Sequence, residues 1–195
     1  MKFTTPLARR SSQLLKFTQI ILSSACPHCD KHNSITRHGY LKGASLTSSS
    51  VIERDLRFFC SNRYSNTGCG STFSILFSTF IPRHSMLAGA LGQFLESAVK
   101  TSVHKAWHAS DLPFSIRSSY RWFKRFKVAQ SLIRPLLSTS LPELSQIVHS
   151  SQEAITLSLM KKRLPHGASF ISQFQLTFQT PIFHHITNYN PHLQG

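Results

Sequence analysis

The chain has 195 residues, enough for one ordinary domain or two small ones. Its 22 Lys and Arg face only seven Asp and Glu, leaving a formal charge of +15 with His neutral. That imbalance points to a polyanionic partner, and the shortage of acids argues against a two-metal nuclease or strand-transferase centre, which needs several convergent carboxylates.

The acids are Asp30, Glu53, Asp55, Glu96, Asp111, Glu143 and Glu153, scattered along the chain. No Gly-rich phosphate loop, H-E-x-x-H or G-x-S-x-G pattern accompanies them, so the expectation is a protein without a catalytic site.

Residues 1–23 form a basic lead-in with Lys2, Arg9 and Arg10, followed by an apolar run from Leu14 to Leu22. Lys16 and Gln19 interrupt that run, which is too short and too polar to span a membrane. It reads as a short amphipathic helix or strand. Ser23-Ser24-Ala25-Cys26 is a poor lipoprotein cleavage site, because Ser23 stands where a large aliphatic residue is expected.

Residues 24–82 contain all four cysteines as two short pairs, Cys26-x2-Cys29 and Cys60-x8-Cys69. Paired thiolates separated by about thirty residues suit one closed, tetrahedral zinc site, with the intervening chain folded as strands. The second pair is longer than usual, so its knuckle must carry a loop, and Gly68 or Gly70 could supply a positive φ there. His28, His32 and His38 could substitute as ligands, but four thiolates already complete a site. Asn33 to Tyr40 reads as a strand ending at a turn at Gly39, and Ser45 to Ser50 as a polar loop. Leu56 to Cys60 and Ser71 to Phe77 read as strands entering and leaving the second knuckle.

Ile81-Pro82-Arg83 ends the strands and opens an all-α region, residues 83–138. Met86, Leu87, Ala90, Leu91, Phe94, Leu95 and Ala98 recur at helical spacing. Ser102 caps a short helix, Val103 to Ala109, and Ser115 caps a longer basic one beginning at Ile116. Short helix, turn, longer basic helix is the layout of a helix-turn-helix. On the last helix Ile116, Tyr120, Phe123 and Lys127 are expected on one stripe, widened by Trp122 and Phe126. Arg117, Ser118 and Arg121 would lie nearest base edges, with Lys124, Arg125 and Lys127 on phosphates. Five Lys or Arg without an acid between Arg117 and Lys127 favour DNA contact over a merely solvated face. Trp107 and Trp122 are expected in the core.

Residues 139–195 carry no clear pattern. The helix is expected to bend at Pro135, and Leu141 starts a polar, amphipathic stretch to about Lys162. Lys161-Lys162-Arg163 is a basic cluster, and the Phe-rich end (Phe170, Phe174, Phe178, Phe183) reads as strands or an unstable tail.

Cys26-Pro27-x-Cys29, Arg37-His38-Gly39, Arg57-Phe58-Phe59-Cys60-Ser61-Asn62-Arg63 and Gly68-Cys69-Gly70-Ser71-Thr72-Phe73-Ser74 together resemble the N-terminal zinc ribbon of bacterial insertion-sequence transposases. The chain is more similar still to small transposase-related proteins in which that ribbon precedes a helix-turn-helix, over residues 24–128. This resemblance implies one structural Zn2+ on Cys26, Cys29, Cys60 and Cys69, and duplex DNA as partner. The long second knuckle and the missing acidic domain depart from the pattern, so strand-transfer chemistry is not implied.

The fold expected is α+β: a small zinc-ribbon β domain, an all-α helix-turn-helix region and a poorly defined C-terminal segment. The function expected is zinc-stabilised DNA binding in the cytoplasm, without a small-molecule substrate or membrane partner. The ribbon would offer Arg37, His38, Arg57 and Arg63 to phosphates. Three rivals stand beside it: an RNA- or ribosome-associated basic zinc protein, a redox or metal-handling protein using Cys26 and Cys29, and a lipoprotein anchored at Cys26.

Overall fold

The computed structural model describes residues 2–4, 12–44, 51–64, 67–82, 84, 86–110, 112, 114–138, 151–165 and 169–183. The chain is mixed α and β and divides into two compact units, Met1–Phe80 and Ile81–Gly195. No helix among the described residues is long and apolar enough to cross a membrane.

The first unit comprises β1 (Lys2–Thr4), α1 (Ser12–Ser23), β2 (Ile35–Ala44), β3 (Val51–Cys60) and β4 (Thr72–Phe77). The sheet order is β1-β4-β3-β2, with β2, β3 and β4 antiparallel and β1 parallel to β4. β2 does not end at Gly39 as the sequence suggests; it runs on to Ala44. Arg37 pairs with Phe58 and Gly39 with Arg57, so His38 is the extra residue of a β-bulge and Gly39 a point within the strand. A second shift, Leu41 on Asp55 and Lys42 on Glu53, makes Arg54 the extra residue on β3. The polar loop expected at Ser45 to Ser50 lies outside the described residues.

α1 is a structural part of this unit. Leu14, Thr18 and Ile21 recur at helical spacing and are buried, with Leu14 and Ile21 in one core with Ile35, Leu56, Phe58, Ile75 and Phe77. Phe58 stacks on Phe73 at a centroid separation of 5.7 Å. Beside this core, burial pushes the Asp55 carboxyl up to about 6, against the opposing pull of Arg54 and the Phe77 backbone N–H.

The second unit is helical: α2 (Ala88–Lys100), α3 (Val103–His108), α4 (Ile116–Ser138), α5 (Gln152–Arg163) and α6 (Phe170–Phe178). Ala88, Leu91, Phe94, Leu95 and Ala98 form the buried face of α2, whereas Leu87, at its N-cap, is 49% exposed. Ser102 caps α3 by accepting from the Lys105 N–H, and the Ser115 hydroxyl accepts from the Ser118 N–H at the start of α4. The Trp107 indole N–H donates to the Phe114 carbonyl at 2.7 Å, fastening the connection between α3 and α4.

On α4 the buried stripe is Ser119, Trp122, Phe126, Ala129, Ile133 and Leu137. The sequence-based stripe of Ile116, Tyr120, Phe123 and Lys127 is therefore out of phase. Tyr120 is 53% exposed and Lys127 pairs with Glu153 at 3.8 Å. Trp122 and Phe126 dominate because spacings of four, three, four and four carry their stripe through Leu137. α4 continues through Pro135 to Ser138.

The C-terminal region supplies two packed helices. Arg134 of α4 donates to the Thr156 hydroxyl and the Gln130 side-chain oxygen, both at 2.9 Å, and to the side chain and backbone of Gln152. Lys161 pairs with Glu96 at 2.7 Å. The Phe-rich end forms a helix, where strands or a tail were the expectation: Ile171 and Phe174 are buried, and Phe170 and Phe178 pack against the same core. Its spacing of four residues between aromatic groups fits a helix face, and that geometry outweighs phenylalanine's preference for strands.

Candidate metal centre and basic surfaces

The sheet register gathers the four cysteines. Ile35 pairs with Cys60 at the mouth of the β2–β3 ladder, and the Ser61 N–H donates to the Ser34 carbonyl at 2.6 Å. The exit from the first knuckle is thus fastened to the entry of the second. Within the first knuckle, the Cys26 N–H donates to the Lys31 carbonyl and the Asp30 N–H to the Cys26 carbonyl, at 3.0 and 2.9 Å. Asp30 and Asn33 adopt φ of 55° and 57° to close it.

In the second knuckle the Gly68 N–H donates to the Ser61 carbonyl and the Gly70 N–H to the Cys60 carbonyl, both at 2.9 Å. Gly70 carries a positive φ of 73°, as does Tyr64 at 56°. Gly68 is required for a different reason: a Cβ there would lie 2.2 Å from the Ser61 carbonyl oxygen and 2.7 Å from the Cys60 sulfur. Two glycines thus bring the Cys69 end of the C-x8-C segment back against Cys60 and Ser61.

The result is four sulfurs within 4.8 Å of one another. Cys26 and Cys69 are 3.9 Å apart, Cys29 and Cys60 3.8 Å, and all four are free thiols. With Zn–S bonds of about 2.3 Å, the edge of a ZnS4 tetrahedron is about 3.8 Å, so the spacing and donor set fit one structural zinc. The His28 N–H points at the Cys26 sulfur and the Cys69 N–H at the Cys60 sulfur, both at 3.4 Å, where they would stabilise thiolate charge. Burial pushes the Cys60 thiol up to about 12, while hydrogen bonds from the Ser71 side chain and backbone draw Cys69 down to about 6.

Around this centre, Arg37 lies 4.8 Å over the Tyr40 ring, and Arg63 5.9 Å from the Phe59 ring, which also meets His38 at 6.1 Å. Arg57 approaches the Thr72 hydroxyl at 3.4 Å and, with His28, Phe73 and Ile75, lines a groove of about 590 Å³. The sequence alone did not disclose this groove, because its walls come from α1, the first knuckle and three strands.

In the helical unit, Arg117, Arg121, Lys124 and Lys127 are exposed on α4, opposite the buried stripe. The half-buried Arg125 lies 4.9 Å over the Trp122 ring, and Lys127 lies 5.3 Å from the Phe123 ring. The Ser118 hydroxyl sits 3.2 Å from that of Ser115 and so belongs to the helix cap. The four cysteines and the α4 cations lie in different units. The chain matches no protein-family model, no curated protein and no solved structure.

Proposed function

We propose that this is a zinc-stabilised DNA-binding protein, related to the transposases of mobile elements and without a catalytic centre of its own. A zinc ribbon on Cys26, Cys29, Cys60 and Cys69 holds the first unit, and α3 and α4 act as a helix-turn-helix. The observation that carries the reading is the exposed face of α4, where Arg117, Arg121 and Lys124 lie together without an acid between them. That face combines planar, bidentate donors for base edges with a point charge for phosphate. The +15 charge supplies the nonspecific attraction, and Arg37, His38, Arg57 and Arg63 add phosphate contacts from the first unit.

Once a preferred duplex has been selected from a random pool, Arg121→Ala should cost about 1–3 kcal/mol on that duplex and much less on random DNA. Lys124→Ala should weaken both alike and lower the salt slope by about one. Equal losses on both duplexes for Arg121→Ala would remove the base-reading role. Tighter binding of structured RNA than of duplex DNA at matched salt would replace DNA with RNA as the partner.

A further inference from the structure

Two histidines outside the thiolate centre have the geometry of a second metal site. His104 and His108 stand four residues apart on α3, so successive turns present them on one face. Their ring centroids are 4.5 Å apart at an interplanar angle of 58°, and both side chains are exposed. Lys105, one residue on from His104, is carried off this face by the helical step of about 100°.

We propose that His104 and His108 chelate a divalent transition-metal ion of the nitrogen-preferring class, such as Ni2+, Zn2+ or Cu2+, with water completing the coordination sphere. Imidazole nitrogens bind such ions at about 2.0–2.1 Å, a reach that two rings this close can share. The donor set differs in kind from the four thiolates: it is open, exposed and neutral, and so suits a labile ion.

The site also has a mechanical consequence. α3 has only six residues, far below the length at which a helix is stable alone, and is held by the Ser102 cap and the Trp107–Phe114 hydrogen bond. An ion bridging its two turns favours the helical state by mass action. Metal availability would thereby tune the element that leads into α4.

The test uses full-length, zinc-loaded protein, so that the thiolates are filled, and titrates it with Ni2+. The Trp107 ring lies 4.7 Å from the His108 ring, so tryptophan fluorescence reports occupancy, with calorimetry giving stoichiometry. A single saturable Ni2+ per chain beyond zinc is expected. His104→Ala and His108→Ala should each weaken it on the order of a hundredfold, the loss of an intramolecular second ligand. Alanine is the best helix former, so both variants keep α3. Substituting His184 and His185 together should leave binding unchanged. Affinity that is indifferent to His104→Ala and His108→Ala, or lost with His184 and His185, would overturn the proposal.

Discussion

Cys60→Ser is expected to abolish zinc retention and unfold the Met1–Phe80 unit, while helical signal from the second unit persists. Cys60 is fully buried and lies at the junction of both knuckles, 3.8 Å from Cys29 and accepting from the Cys69 N–H. A serine hydroxyl would not ionise there and is a poor zinc ligand. The apolar core around it rests on Leu14, Ile21, Ile35, Leu56, Phe58, Ile75 and Phe77. A core of this size supplies only about 3–5 kcal/mol, whereas a structural zinc contributes on the order of 10–16 kcal/mol of apparent binding energy at neutral pH. Loss of the metal therefore exceeds what the rest can offset. Metal content after gel filtration and amide dispersion in NMR spectra would measure the outcome. A folded, zinc-bound Cys60→Ser protein would show that the metal does not govern this unit.

Phe126→Ala should destabilise the helical unit by about 3–5 kcal/mol without touching zinc content. Phe126 is completely buried, on the α4 stripe that packs into the same core as Phe94, Met160 and Phe174. Little can collapse into the space it leaves, because neighbours on several helices are fixed by their own packing. Chemical denaturation followed by helical circular dichroism measures the loss. Arg121→Ala, on the opposite face, should leave that stability within about 0.5 kcal/mol. A small effect for Phe126→Ala, or an equal one for Arg121→Ala, would refute the assignment of core and solvent faces.

The gathering of the four cysteines was the most legible part of the chain. Cysteine is rare here, all four residues fall in two pairs, and the chemistry of a thiolate site prescribes spacing directly. The starts of α3 and α4 were legible from Ser102 and Ser115 because capping is local chemistry. Failures came where tertiary packing decided. Gly39 looked like a turn, but pairing across the β2–β3 ladder absorbed it beside a bulge. Tyr120 and Lys127 were placed on one stripe with Ile116 and Phe123 because a local window could not show that Ala129, Ile133 and Leu137 continue a different one. The helix at Phe170–Phe178 was missed because phenylalanine's preference for strands outweighed, in the reading, the four-residue spacing of Phe170, Phe174 and Phe178. Arg134 lay beyond the basic run that drew attention, although its bonds to Gln152 and Thr156 tie α4 to α5.

The central claim is that four thiolates in one site hold the first unit together. Zinc analysis of the purified chain, coupled to thiol titration before and after chelation, tests it most directly. One zinc per chain, with all four thiols shielded until the chelator removes the metal, is the result expected from sulfurs gathered within 4.8 Å. A folded protein without metal, whose four thiols react freely from the start, would contradict the claim.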